Sequence, residues 1–171
     1  MATTWRRLAR CLVLVAACAA VPGACTGGSA RELRVRRVYV VAPAGTSPAA
    51  MYFTVENDGV WADTLISVST PAAASAELHA TVAPATVAPA TGMMTMASVS
   101  LVNVPAHSVT AFAPGGRHVM LTSPHVGLKR GDTVTVTFVF MRRGELRARA
   151  AVISYADVDT ATAAPPAPSN P

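Results

Sequence analysis

Beyond residue 32 the chain alternates apolar and polar positions with a period of two, the repeat of a half-buried β-strand rather than of a helix. Asp132–Met141 is the clearest stretch: Thr133, Thr135 and Thr137 face one way, and Val134, Val136, Phe138 and Phe140 face the other. Arg143-Gly144-Glu145 then turns the chain into Leu146–Ala150, which alternates again. The same reading predicts strands over Arg34–Val41, Ala50–Glu56, Thr64–Ser69, Ala76–Val82, Met93–Ser100, Ser108–Ala113, His118–Leu121, Asp132–Met141 and Glu145–Ser154. Each is rich in Val, Thr, Ile or aromatic residues and bounded by Gly, Pro, Asn or Asp. No useful 3.6-residue periodicity follows residue 25, so the expected class is all-β, a Greek-key β-sandwich.

Two segments break the alternation. Residues 81–91 carry the unit Val-Ala-Pro-Ala-Thr twice after Thr81, and their two prolines exclude a central strand, which predicts an extended surface loop. Residues 157–171 end in Ala-Pro-Pro-Ala-Pro-Ser-Asn-Pro and predict a disordered tail.

The first 25 residues have the anatomy of an export signal. Arg6, Arg7 and Arg10 precede an uncharged apolar run from Cys11 to Val21, too short for a bilayer span, and small residues follow. Cys25 stands after Pro22-Gly23-Ala24 and before Thr26-Gly27-Gly28-Ser29-Ala30, an arrangement that resembles a bacterial lipoprotein box with a flexible tether. Cys18, behind Val15-Ala16-Ala17, is the competing position, and an ordinary signal peptide cut nearby is the alternative to lipidation. The expected division is a signal peptide over 1–24, a lipid-anchored tether over 25–32, a β-sandwich over 33–156 and the tail over 157–171. The expected location is the outer face of the cytoplasmic membrane, with a soluble periplasmic or secreted protein as the alternative.

All three cysteines lie at or before position 25, so the sandwich has neither thiol nor disulfide. That excludes Cys-based zinc sites and a blue-copper centre, which requires a thiolate. The net charge of +5 does not mark a nucleic-acid binder. Without the three arginines of the leader, eleven basic residues face nine acidic ones. The cluster Arg31, Arg34, Arg36 and Arg37 lacks aromatic stacking platforms and is read as a solvated strand edge.

The candidate chemistry lies in the histidines and methionines. His118-Val119-Met120 opens a strand after the turn Pro114-Gly115-Gly116, and alternation puts its imidazole and thioether on one face. Glu77-Leu78-His79 lies on another strand, and Met93-Met94-Thr95-Met96 begins a third, with Met94 and Met96 sharing a face. Two imidazoles and two thioethers suit Cu(I), because thioether sulfur is soft and neutral, whereas zinc, magnesium and calcium prefer thiolate, imidazole or oxygen donors. Met51 and Met141 are read as core filler, and His107 and His125 as exposed loop residues.

This order of residues resembles the periplasmic copper chaperones of the PCu(A)C family, which carry a His, a Met and a His-x-Met with gaps of ten and twenty-one residues. Twenty-one residues separate Met96 from His118, and His118-Val-Met120 supplies the His-x-Met. The first His maps to His79. The likeness runs from Met51-Tyr-Phe-Thr-Val-Glu-Asn-Asp-Gly to Leu128-Lys-Arg-Gly-Asp-Thr-Val and the strand after it. The departure is the first gap: sixteen residues separate His79 from Met96, and the repeat accounts for the excess. A longer surface loop costs little, with Met93 and Met94 as the nearest substitutes for Met96.

The resemblance implies a cupredoxin-like sandwich that binds Cu(I) through His79, Met96, His118 and Met120. It implies a monomeric carrier, not an enzyme, that delivers copper outside the cytoplasmic membrane to the copper domain of a respiratory oxidase or to its assembly proteins. A copper-tolerance or storage lipoprotein and a metal-free scaffold lipoprotein are the competing functions. No Ser-His-Asp order, paired carboxylates or phosphate-cradling loop supports catalysis.

Overall fold

The computed structural model describes residues 32–45, 47–82, 95–125 and 127–163. Ten strands follow in chain order: β1 (Leu33–Val41), β2 (Ala49–Asn57), β3 (Asp63–Ser69), β4 (Ala73–Val82), β5 (Thr95–Ser98), β6 (Val102–Val104), β7 (Ser108–Phe112), β8 (Arg117–Pro124), β9 (Thr133–Phe140) and β10 (Gly144–Ile153). All nine predicted strands are present, within a few residues at their ends. β6 is the addition; its Val-Asn-Val buries Val102 and Val104 but is too short for alternation to register.

The strands form one sheet in the order β5-β4-β8-β2-β1-β10-β9-β3-β6, with β7 pairing β2 beyond the end of β8. The all-β sandwich is therefore built from two halves of one curled sheet, joined through β1. β1 runs antiparallel to β2 and parallel to β10, the latter pairing through Tyr39–Val41 alone. The inner faces meet at a cluster in which Phe53 stacks on Phe112 at 4.0 Å and meets the edge of Phe138 at 4.9 Å. Met51, Leu65, Val119, Leu121 and Val136 are fully buried there. Alternation then puts the intervening residues of β4, β8, β2 and β1 on the outer face.

Two local devices set the register of the outer face. An extra residue in β1 between Arg36 and Tyr39, with Arg37 at φ +50°, forms a bulge that keeps Tyr39 opposite Tyr52. The chain between β7 and β8 turns at Ala113-Pro114-Gly115-Gly116, where the Gly116 amide donates to the Ala113 carbonyl at 3.0 Å. Proline suits the second position of that turn, and Gly115, at φ +72°, takes the left-handed conformation required at the third. The turn delivers β8 directly beside β4.

Several expectations need correction. The tail does not begin at Asp157: a 3-10 turn at Tyr155–Asp157 leads into helix α1 (Val158–Thr162). Val158 is buried, Arg130 pairs with Asp157 at 2.9 Å, and the Arg37 guanidinium donates to the Ala163 carbonyl, so the segment has contacts that composition alone does not reveal. Met141 is not core; it sits in the β9–β10 turn and is 62% exposed. Met51 is fully buried, and His107 and His125 are exposed, as expected. The arginine-bearing half of β1 is bonded to β2, where Arg34 pairs with Asp58 and Arg36 with Glu56, each at 2.8 Å. Residues 1–31, 83–94 and 164–171 lie outside the described residues, and with them the expected leader, Cys25, Met93, Met94 and most of the repeat. Among the described residues no helix is long and apolar enough to cross a membrane.

Candidate metal centre

Strands β5, β4 and β8 bring the predicted residues onto one outer surface. The β4–β8 register sets His79 opposite His118 and Glu77 opposite Met120. Directly paired residues of an antiparallel ladder point to the same face, with Cβ atoms about 5 Å apart. The two imidazoles accordingly stand with ring centroids 5.7 Å apart at an interplanar angle of 47°. Met120 follows His118 on the same face and lies diagonally across from His79. Next door, β2 sets Ala50 opposite Met120, and Tyr52 stands 6.5 Å from the His118 ring.

Met96 occupies the same face at a distance. β5 pairs Ser98 with His79 and Met96 with Thr81, so Met96 is displaced from His79 in the direction away from Met120. With strands ~4.8 Å apart and ~3.3 Å per residue, the Cα atoms of Met96 and Met120 are separated by ~10 Å across the sheet and ~13 Å along it. Met96 is also 59% exposed. The compact part of the constellation is thus His79, His118 and Met120, with Met96 outlying on the edge strand.

The polar environment of the two histidines differs. His118 is buried, and its Nδ1 lies 3.3 Å from the Gly116 carbonyl. Both ring nitrogens of His79 are buried, and among the described residues neither has a hydrogen-bond partner. Glu77 Oε2 stands 3.5 Å from His79 Nε2, an ion-pair distance if the ring is protonated but no hydrogen bond. Leaving a buried polar group unpartnered costs about 1–3 kcal/mol, so this pair of nitrogens adds nothing to stability through the described residues and is available to a ligand. The donor set fits a soft ion: neutral nitrogens and thioether sulfur, with one carboxylate, Glu77, beside them. Among the described residues no three His, Cys, Asp or Glu side chains gather as they would for a hard or thiolate-bound metal.

Glu77, Tyr52 and the Gly116 carbonyl are parts of this surface that reading the sequence missed. The i, i+2 spacing of Glu77 and His79 carries the signal for the first; the others depend on strand order and turn geometry. Burial raises the Tyr52 phenol above its ordinary pKa, with the neighbouring Tyr155 adding to the effect, so the hydroxyl stays protonated.

Residues 33–152 match the family model described as "Putative lipoprotein LpqE-like". The chain belongs to the LpqE-like family. It is 32% identical over 134 residues to "Putative lipoprotein Lxx21020" of Leifsonia xyli, a match covering 78% of this chain and 74% of that relative. The fold is similar to the copper-bound PCuAC domain of PmoF2, with 26% identity and a TM-score of 0.60 over 72% of this chain and 93% of that one. It is also similar to the Cu(I) form of DR1885 from Deinococcus radiodurans, at 27% identity and a TM-score of 0.58, covering 76% and 84%. The LpqE-like chain is therefore a homologue of PCuAC domains, as the order of its His and Met residues implies.

Proposed function

We propose that this LpqE-like protein is a Cu(I) carrier that holds its cargo on the outer face of β4 and β8. The observation that carries the reading is the pair of facing imidazoles beside Met120, one of them with both nitrogens unpartnered among the described residues. His79, His118 and Met120 form the inner donors, and Met96 the outlying fourth, with Met93 and Met94 as substitutes in the same segment. Neutral donors leave the site with the single charge of the ion, which limits the cost of holding it near the sheet. The protein acts by binding rather than by catalysis.

Release follows from the geometry. The donors lie outside the hydrophobic core, with the imidazoles covered and Met96 exposed on the edge strand, so a partner's own ligands would first meet the thioether side of the site and replace the donors one at a time. Thioethers are never protonated at ordinary pH, so Met120 and Met96 stay competent as donors in acid. The partner in this reading is a respiratory oxidase copper domain or one of its assembly proteins. The protein is exported, anchored through lipidated Cys25 on the outer face of the cytoplasmic membrane, and monomeric. Both the leader and the tether over residues 25–32 serve that placement, with the sandwich over 33–156 as the binding unit.

Competition titration against a Cu(I) chelator tests the reading. His118→Ala and Met120→Ala are expected to weaken Cu(I) binding while leaving the unfolding transition in place. Unchanged affinity in both variants would refute it.

A further inference from the structure

The Gly116 carbonyl is a meeting point of two donors from β4 and one imidazole nitrogen from β8. Thr81 donates to it from its backbone N–H at 3.2 Å and from its hydroxyl at 3.2 Å, and His118 Nδ1 stands 3.3 Å away. Thr81 is the second-to-last residue of β4, immediately before the chain leaves for the Val-Ala-Pro-Ala-Thr repeat. Gly116 is the last residue of the turn that opens β8. One oxygen therefore ties the root of the insert to the turn that presents the His-x-Met.

A carbonyl oxygen only accepts. An unprotonated Nδ1 at that distance would set its lone pair against those of the oxygen. We infer that Thr81 and the Gly116 carbonyl act as a positioning pair that holds neutral His118 as the Nδ1–H tautomer, so that Nε2 is its metal-binding nitrogen. This deepens the copper-carrier reading and rests on it for the identity of the metal. A carbonyl that accepts from the other nitrogen of a metal-binding imidazole fixes both its ring orientation and its tautomer. Thr81 contributes by holding the acceptor still: its two donors fix where the carbonyl points, whatever the length of the loop beyond Val82. The arrangement also accounts for why six extra residues between His79 and Met96 leave the His79–His118 pairing intact. The longer loop begins after a residue already locked to β8.

The test uses the whole metal-free protein, 15N-labelled on histidine, at pH 8. Long-range 1H–15N spectra distinguish a protonated Nδ1 from a protonated Nε2, and a merely structural role for Thr81 would not move that signature. The expected result is a dominant Nδ1–H tautomer for His118 in the wild type. In Thr81→Val, which keeps the backbone donor and removes the hydroxyl, a mixture of tautomers is expected with about 10-fold weaker Cu(I) binding. Thr81→Ser is expected to restore both. A dominant Nε2–H tautomer in the wild type, a measurement that needs no variant to fold, overturns the inference. So does a Thr81→Val protein unchanged in tautomer and affinity. A wild type with the expected tautomer that binds no Cu(I) overturns the carrier reading instead, and leaves the positioning of His118 standing.

Discussion

Two ends of the same sheet treat their buried polar groups in opposite ways. At the end where β2 meets the β2–β3 loop, Asn57 donates through Nδ2 to the carbonyls of Trp61, Val104 and Pro105 and accepts from the Gly59 amide, all within 3.2 Å. Asp63, nearby, accepts the backbone N–H groups of Thr64, Arg142 and Arg143 at 2.7 to 2.9 Å. Arg142 lies over the Trp61 ring at 5.3 Å. At the other end, His79 keeps two buried nitrogens without a hydrogen bond among the described residues. The first arrangement is what a fold does with polar groups that it needs for its own stability. The second leaves nitrogens that the described part of the fold does not use, which supports the proposed role of the histidine end in binding and contrasts with the structural role of the asparagine end.

Substitutions on the two ends should separate along those lines. Asn57→Ala strands three carbonyls and an amide, and a loss of about 3 kcal/mol in chemical denaturation is expected, with Cu(I) affinity unchanged. A loss of copper binding in a variant that is still folded would dissolve the distinction. His79→Leu should do the reverse. Removing two unpartnered nitrogens should leave stability equal or raise it by about 1 kcal/mol, while Cu(I) affinity falls on the order of 100-fold, or about 2.7 kcal/mol. A destabilised His79→Leu protein would mean that the ring is bonded in the fold after all.

Within the site the two methionines differ in the same way. Met120 stands beside both imidazoles, whereas Met96 is exposed on the edge strand and displaced the other way. Met120→Ala is therefore expected to cost more Cu(I) affinity than Met96→Ala, by about 10-fold, in parallel chelator titrations. Equal losses would show that the edge strand folds in over the ion. The smallest effect concerns the C-terminal clasp. Hydrogen bonds from Ser154 and Arg130 hold the Asp157 carboxyl below its ordinary pKa. A depressed carboxylate stabilises the folded state above its usual titration range and loses that contribution as pH falls through it. Acidification below about pH 4 should loosen helix α1, seen as faster amide exchange at Val158–Thr162, before the sandwich core opens.

The strands were legible because period-two alternation is local, and β9 shows it most clearly: Val136, Phe138 and Phe140 point inward while Thr133 and Thr135 are exposed. Placing His118 and Met120 on one face needed only the same rule. What the chain does not announce is long-range. The parallel pairing of Tyr39–Val41 with Ala151–Ile153 joins residues more than a hundred positions apart and turns two layers into one sheet. The seat of Met96 depends on the β4–β5 register, and the repeat between the two strands obscures any counting across it. Met141 misled because it continues the alternation of β9 for one residue into a turn, where the period no longer implies burial. The structured segment from Tyr155 was hidden because it runs straight into the alanine- and proline-rich end of the chain, with Val158 as its buried apolar anchor.

X-ray absorption on the Cu(I)-loaded protein tests the central claim most directly, since it counts the donors on the ion without any variant. The expected first shell holds two imidazole nitrogens with thioether sulfur, two sulfurs if Met96 or a neighbour closes over the site. A shell of oxygen and nitrogen donors without sulfur, or with a single imidazole, would contradict it.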